Sequence, residues 1–204
     1  MGELETWDGE LGPDVVVDGF LLDGLDLSGT DARGARVVDS EIRRCTLEGT
    51  RLVRAQVVDS RIVECLAGSV SFVGSGLHDV VLEGCRFGAL EVYDAELTDV
   101  VVRGGKLDYV NLRGSRVRDV RFEGAWIGDL DLGDATATRV TFVDCRIGRL
   151  DVTRAQLKDV DLRGADLDAL DGLGGLSGAT ISTEQLFRLA PGFAAHLGIT
   201  VDDA

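Results

Sequence analysis

Every fifth residue from Val17 to Leu167 is apolar, through thirty-one consecutive positions with no insertion or deletion. In a chain that is 45% hydrophobic, such a run has a chance probability on the order of 10^-11, so the period is an instruction to the backbone. An α-helix repeats its apolar face every ~3.6 residues and a strand every ~2. A period of five fits neither. It fits a short strand with two inward residues followed by a tight turn.

The second inward position lies two residues before each of these centres. From Val15 to Ala165 it holds only Ala, Cys, Ser, Thr, Gly, Val, Leu or Phe, and the other three positions of each unit carry the charge. A longer period is superimposed. Every twentieth residue of this second series gives Cys45, Cys65, Cys85, Gly105, Ala125, Cys145 and Ala165 on one track, and Val80, Val100, Val120, Val140 and Val160 on another. A third reads Ala35, Ala55, Ser75, Ala95, Ser115, Ala135 and Ala155, and the fourth reads Val70, Leu90, Val110, Leu130 and Leu150. Residues twenty apart therefore share an environment. Four five-residue sides make one coil, and the chain is expected to be an all-β solenoid with a square cross-section. At the strand spacing of about 4.8 Å, about eight coils give a rod of about 37 Å. Where Val or Leu replaces Ala, the coils are expected to be wider or differently turned.

The units Gly-Ala-Asp-Leu-Asp (164–168), Arg-Ala-Gln-Leu-Lys (154–158) and Gly-Ser-Arg-Val-Arg (114–118) resemble the loose consensus of the pentapeptide-repeat family. The resemblance covers about three quarters of the chain and implies a right-handed quadrilateral β-helix. Three segments are expected: an N-terminal cap over residues 1–14, the β-helix over 15–170, and a connector with a C-terminal helical cap over 171–204.

Charge and composition exclude several functions. The chain carries a formal net charge of −15, with eight acids and no base in residues 1–30, and six acids against Arg188 in residues 166–204. No basic stripe that could track phosphates is evident in the linear sequence, so direct nucleic-acid binding is not expected. The outward Arg103, Arg113, Arg116, Arg118 and Arg121 dilute the negative charge mid-chain. No apolar stretch approaches the ~18 residues of a membrane span, and the acidic N-terminus lacks a signal-peptide pattern. All four cysteines lie on one inward track, where Ala and Gly replace them, which reads as reduced core thiols in a cytoplasmic protein. No cofactor or metal site is expected, since His78 and His196 fall off that track. An enzyme needs a nucleophile, a base and a pocket, and none is evident. Gly24, Gly84, Gly104, Gly124 and Gly164 share one corner and predict positive φ there, not a phosphate cradle.

A sharper feature is the ladder Asp39, Asp59, Asp79, Asp99, Asp119, Arg139, Asp159, a carboxylate in six of seven stacked coils. Three readings stand. Each Asp could accept backbone N–H bonds in its turn, offsetting a repulsion of about 1 kcal/mol between neighbours. The ladder could instead imitate nucleic-acid phosphates, or bind cations.

The repeat stops at its ends, where a solenoid needs caps. Ser182, Thr183, Glu184 and Gln185 predict a capping box, and Leu186, Leu189, Ala190, Phe193 and Leu197 then recur at helical spacing beside Phe187. Pro191 predicts a break into two short helices. The gyrase-binding, mycobacterial-type quinolone-resistance proteins of the resembled family pair two rods through such a cap. That resemblance implies a homodimer through Leu186, Phe187, Leu189, Phe193 and Leu197, and DNA gyrase as a candidate partner. Two functions are compatible with the sequence: a non-enzymatic protein-interaction scaffold, or an acidic DNA mimic that binds a type II topoisomerase and modulates quinolone sensitivity.

Overall fold

The structure is a computed structural model and describes residues 4–202. Strands pair in parallel throughout, and between Val16 and Asp171 the residues that pair with each other lie twenty apart, as in Val37↔Val57, Leu82↔Val102 and Leu150↔Leu170. That register is a β-solenoid of about eight coils. Two continuous sheets result, of sixteen and seven strands. The first covers two sides of the coil, and the strands Gly76–Glu83 and Glu96–Arg103 run unbroken around the corner between them. The second covers the other two sides, with strands such as Arg86–Glu91 and Trp126–Asp131.

The fifth-residue series fills the interior, from Val17 to Leu167, and all but Ala67 are buried. Aliphatic residues stack on their counterparts one coil away, and Phe122 lies flat on Phe142 with ring centroids 4.9 Å apart. All four cysteines are free and buried. Burial pushes the Cys145 thiol up, and hydrogen bonding to Cys65, then burial, does the same to Cys45. These thiols pack as small core residues. Inward hydroxyls are satisfied within the wall: Ser115 accepts from the Ala95 N–H at 3.0 Å and donates to the Val92 carbonyl at 2.7 Å.

The corners explain the tracks. At the corner after Gly29 and Gly49, φ is positive, and the next inward residues are Thr30 and Thr50. From Ser69 onward the same corner is extended: Ser69, Ala89, Tyr109, Asp129 and Arg149 lie inside strands, and Val70, Leu90, Val110, Leu130 and Leu150 fill the inward position. An extended corner pushes the wall outward and needs a larger side chain to avoid a void. The expected difference in turning is therefore present, at this corner. The other Val track, Val80 to Val140, follows corners that keep positive φ at Asp79, Asp99, Asp119 and Arg139.

The glycine corner behaves as expected at Gly24, Gly84, Gly104 and Gly124, all at positive φ. Gly164 differs. It lacks the positive φ, and a Cβ there would sit 2.1 Å from the Phe142 carbonyl oxygen, so close backbone approach excludes a side chain.

Both ends depart from the twenty-residue register. Glu5–Thr6 pairs with Phe20 and Leu21, fifteen residues on, while Trp7 meets Phe20 edge-on at 4.9 Å and Leu11 is buried. At the far end Val160 pairs with Ala179, one residue short of a full coil. The 3-10 turn Leu173–Leu176 takes up the difference, with Gly175 so close to the Val152 carbonyl that a Cβ would lie 1.9 Å from it.

Candidate interaction surface

The Asp ladder occupies corners in the left-handed region: φ is 46° at Asp39, 50° at Asp59, 52° at Asp79 and 55° at Asp99, Asp119 and Asp159. Asp tolerates this region better than most residues with a Cβ. The sequence suggested that these carboxylates hold their turns by accepting backbone N–H groups. The structure gives that duty to other residues. Asp26, Asp31, Asn111, Asp131, Asp151 and Asp161 accept from the N–H two residues on, at 2.7–3.3 Å. Those acceptors immediately precede a buried centre, where the chain turns along a side. Among the described residues, no ladder carboxylate accepts a backbone N–H, so the ladder is free to face outward.

Asp39, Asp59, Asp79, Asp99 and Asp159 are exposed. Asp119 is half-buried because Arg139, the interruption in the ladder, folds onto it with Nε 2.5 Å from Oδ1 and an Nη at 2.6 Å from Oδ2. That hydrogen bond, reinforced by charge, holds the Asp119 carboxyl below the usual range. His78 Nε2 lies 3.1 Å from Asp79. Among the described residues, no three His, Cys, Asp or Glu side chains converge as metal ligands. The stacked carboxylates form a row, whereas a cation site needs a convergent cage.

The side next to this corner carries an alternating ladder of ion pairs. Arg43 meets Asp23 at 2.8 Å, Arg61 meets Glu83 at 2.8 Å and Glu41 at 3.3 Å, Arg103 meets Glu123 at 2.9 Å, and Arg121 meets Glu123 at 2.7 Å. Arg113 bridges Asp131 and Asp134 on another side. Arg103, Arg113 and Arg121, expected to dilute the acidic surface, are thus consumed locally. Arg116 and Arg118 are not.

A basic row also exists that linear reading missed. Register stacks Arg86, Lys106, Trp126 and Arg146 in consecutive coils, with Lys106 Nζ 4.7 Å from the Trp126 ring centroid. Its members are sixty residues apart end to end, and the row emerges only when the twenty-residue period is followed along this outward position. Lys106 pairs with Asp108 at 3.0 Å and Arg146 with Asp168 at 3.4 Å, which largely neutralises the row.

At the C-terminal end the predicted capping box is present: Ser182 accepts from the Gln185 N–H at 3.1 Å, and Gln185 Oε1 accepts from the Ser182 N–H at 2.8 Å. Gln185 does more. Its buried Nε2 donates to the carbonyls of Leu162 and Ala165, both at 2.7 Å, and so ties the cap to the last coil. The expected two helices are one, Thr183–His196, with Pro191 inside. Pro removes one N–H, that to the Phe187 carbonyl, and this single loss is outweighed by an anchored start and a glycine-terminated end. Gly198 takes φ 71°, and the Ile199 N–H reaches the Ala194 carbonyl at 2.8 Å.

The five apolar cap residues separate into two sets. Leu189 and Phe193 are half-buried, whereas Leu186, Phe187 and Leu197 are 48%, 74% and 70% exposed, with Ile199 and Val201 continuing the exposed set. Leu170, Leu176, Ala179 and Ile181 close the core instead.

No protein-family model and no curated protein matches the chain. Among solved structures it is similar to HetL, a pentapeptide repeat protein involved in heterocyst differentiation regulation from the cyanobacterium Nostoc sp. strain PCC 7120. The identity is 15%, over 82% of this chain and 90% of that one, with a TM-score of 0.46. It is also similar to QnrB1, a plasmid-mediated fluoroquinolone resistance protein, at 18% identity over 92% of this chain and 98% of that one, with a TM-score of 0.40.

Proposed function

We propose that the chain is a non-enzymatic interaction rod whose Asp corner binds a basic protein surface. The observation that supports this reading is the choice of residue at the ladder corner. At two other corners Gly meets the same left-handed requirement in some coils, at Gly24, Gly84, Gly104 and Gly124 and at Gly34, Gly74 and Gly114, and residues of mixed sign such as Arg44, Glu64, Asp94 and Arg154 take other coils. The ladder uses Asp in its place at six coils, accepts the repulsion of stacked charges, and returns no backbone hydrogen bond. A row of exposed carboxylates with no turn duty suits a partner that supplies cations.

The second reading is the DNA mimic. One carboxylate per coil amounts to about one charge per 4.8 Å, against one per ~1.7 Å of duplex axis. The ladder alone therefore has roughly a third of the charge density of DNA, and the neighbouring side is neutralised by ion pairs. This favours a narrow acidic edge over a full duplex imitation.

One variant tests both. Asp79→Asn, Asp99→Asn and Asp119→Asn together remove charge while keeping a residue that accepts positive φ. Binding of an octalysine peptide at low salt, measured by fluorescence anisotropy, is expected to weaken at least fivefold in the triple variant; equal affinity would sink the acidic-edge reading. Supercoiling by DNA gyrase is measured with the same pair of proteins. Inhibition by the parent that is lost in the variant would promote the DNA-mimic reading.

A further inference from the structure

Among the described residues, thirteen of the nineteen arginines lie within ion-pair distance of a carboxylate. Arg116 and Arg118 do not, and they project side by side from one strand, Arg116–Arg118. Register defines what surrounds them. Arg116 stacks between Glu96 and Thr136, and Arg118 between Thr98 and Thr138; one coil further on, Gln156 and Lys158 follow the two threonines. The result is a shallow trough along the two arginines, bordered by Thr98 on one side and by Thr136 and Thr138 on the other, with Gln156 and Lys158 one coil beyond it.

The cleft around the two arginines has a volume of about 160 Å³ and is lined by Glu96, Thr98, Arg116, Arg118, Thr136 and Thr138 together with the wall beneath them. Arg116, Arg118, Thr136 and Lys158 are exposed. An Arg118 Nη lies 3.4 Å from Thr98 Oγ1, which orients that guanidinium along the face. At the adjoining corner Asp119 is already engaged by Arg139, and Glu96 is the one carboxylate lining the cleft.

This donor set fits one ligand chemistry. Two guanidinium forks offer paired N–H groups that match tetrahedral oxyanions, and the hydroxyls of Thr98, Thr136 and Thr138 can donate to remaining oxygens. A carboxylate would satisfy one fork; a phosphate has oxygens for both. The net charge of −15 does not forbid this, because at physiological ionic strength fields fade over about 8 Å and the nearest groups dominate.

We propose that this trough binds a phosphate-class dianion, either as free phosphate or as a phosphomonoester on a partner side chain. The site adjoins the Asp corner but shares no residue with it, and it does not depend on the reading given to that corner.

The test titrates the full chain with inorganic phosphate, followed by 31P line broadening, and with a phosphoserine peptide and its unphosphorylated form, followed by anisotropy. Saturable phosphate binding is expected, weakened at least tenfold in Arg116→Gln/Arg118→Gln and unchanged in Arg86→Gln, which removes an unpaired arginine on another side. Thr136→Val/Thr138→Val is expected to weaken it about threefold. Far-UV circular dichroism verifies that each variant keeps its fold. A phosphopeptide bound tenfold tighter than phosphate assigns the ligand to a partner; equal affinities assign it to the free anion. Wild-type affinity in the double arginine variant, or no saturation by either probe, overturns the proposal.

Discussion

At the scale of single residues, the corners decide which side chains the rod tolerates. Among the described residues, fifteen non-glycine residues adopt positive φ, and they are Asp, Arg or Glu. None is β-branched. A left-handed conformation costs an ordinary L-residue about 1–2 kcal/mol, and β-branching at Cβ worsens the crowding. Asp99→Asn is therefore expected to change stability by less than about 0.5 kcal/mol, whereas Asp99→Val is expected to cost about 1–2 kcal/mol. Urea denaturation compares the two directly, and equal midpoints for Asn and Val would contradict the conformational account. The position of the ladder is legible from residues twenty apart. Its lack of a turn-holding role is not, because Asp at a corner and Asp just before a buried centre look equally suited to an Asx-type turn. Only the direction of each side chain separates Asp131, which accepts the Gly133 N–H at 2.7 Å, from Asp99, which accepts none.

At the scale of elements, the five-residue side is too short to be stable alone and relies on its neighbours in register. The last coil has no coil above it, and the cap helix must serve in its place. Gln185 does so through two hydrogen bonds to carbonyls of Leu162 and Ala165 that would otherwise lie open. Gln185→Ala removes these bonds and half of the capping box, and is expected to cost about 2–3 kcal/mol. Amide hydrogen exchange should accelerate in residues 160–180 and stay unchanged in the middle coils. Uniform exchange across the rod would show that the cap does not act locally. The capping box was readable from Ser182 and Gln185 at their three-residue spacing. The longer reach of Gln185 into the coil was not, since it depends on how a one-residue shortening at 173–176 lays the helix across the end.

At the scale of the whole molecule, the rod has an acidic corner, a mixed-sign side and an apolar end. The end carries Leu186, Phe187 and Leu197, the proposed seat of a second copy in a two-fold pair. Leu189 and Phe193 are half-buried and are poor choices for a test, because replacing them disturbs the cap itself. Light scattering is expected to report two chains for the parent and one for Leu186→Asp/Phe187→Asp, with the melting transition of the β-helix retained. A single chain for the parent would remove the dimer.

The sequence by itself determined the period, the number of residues per coil and the inward set, because burial is a one-dimensional property here: each inward position repeats in sequence as it repeats in space. It also determined which residues stack, including the cysteines and the Asp ladder. Tertiary structure decided what those stacks do. The switch of one corner from left-handed to extended, the pairing of Arg139 with Asp119, the lack of an ion pair at Arg116 and Arg118, and the continuity of the cap helix through Pro191 all depend on side-chain reach and backbone approach between coils. Those are distances of a few ångströms between residues twenty or more apart, and a repeating pattern alone does not encode them.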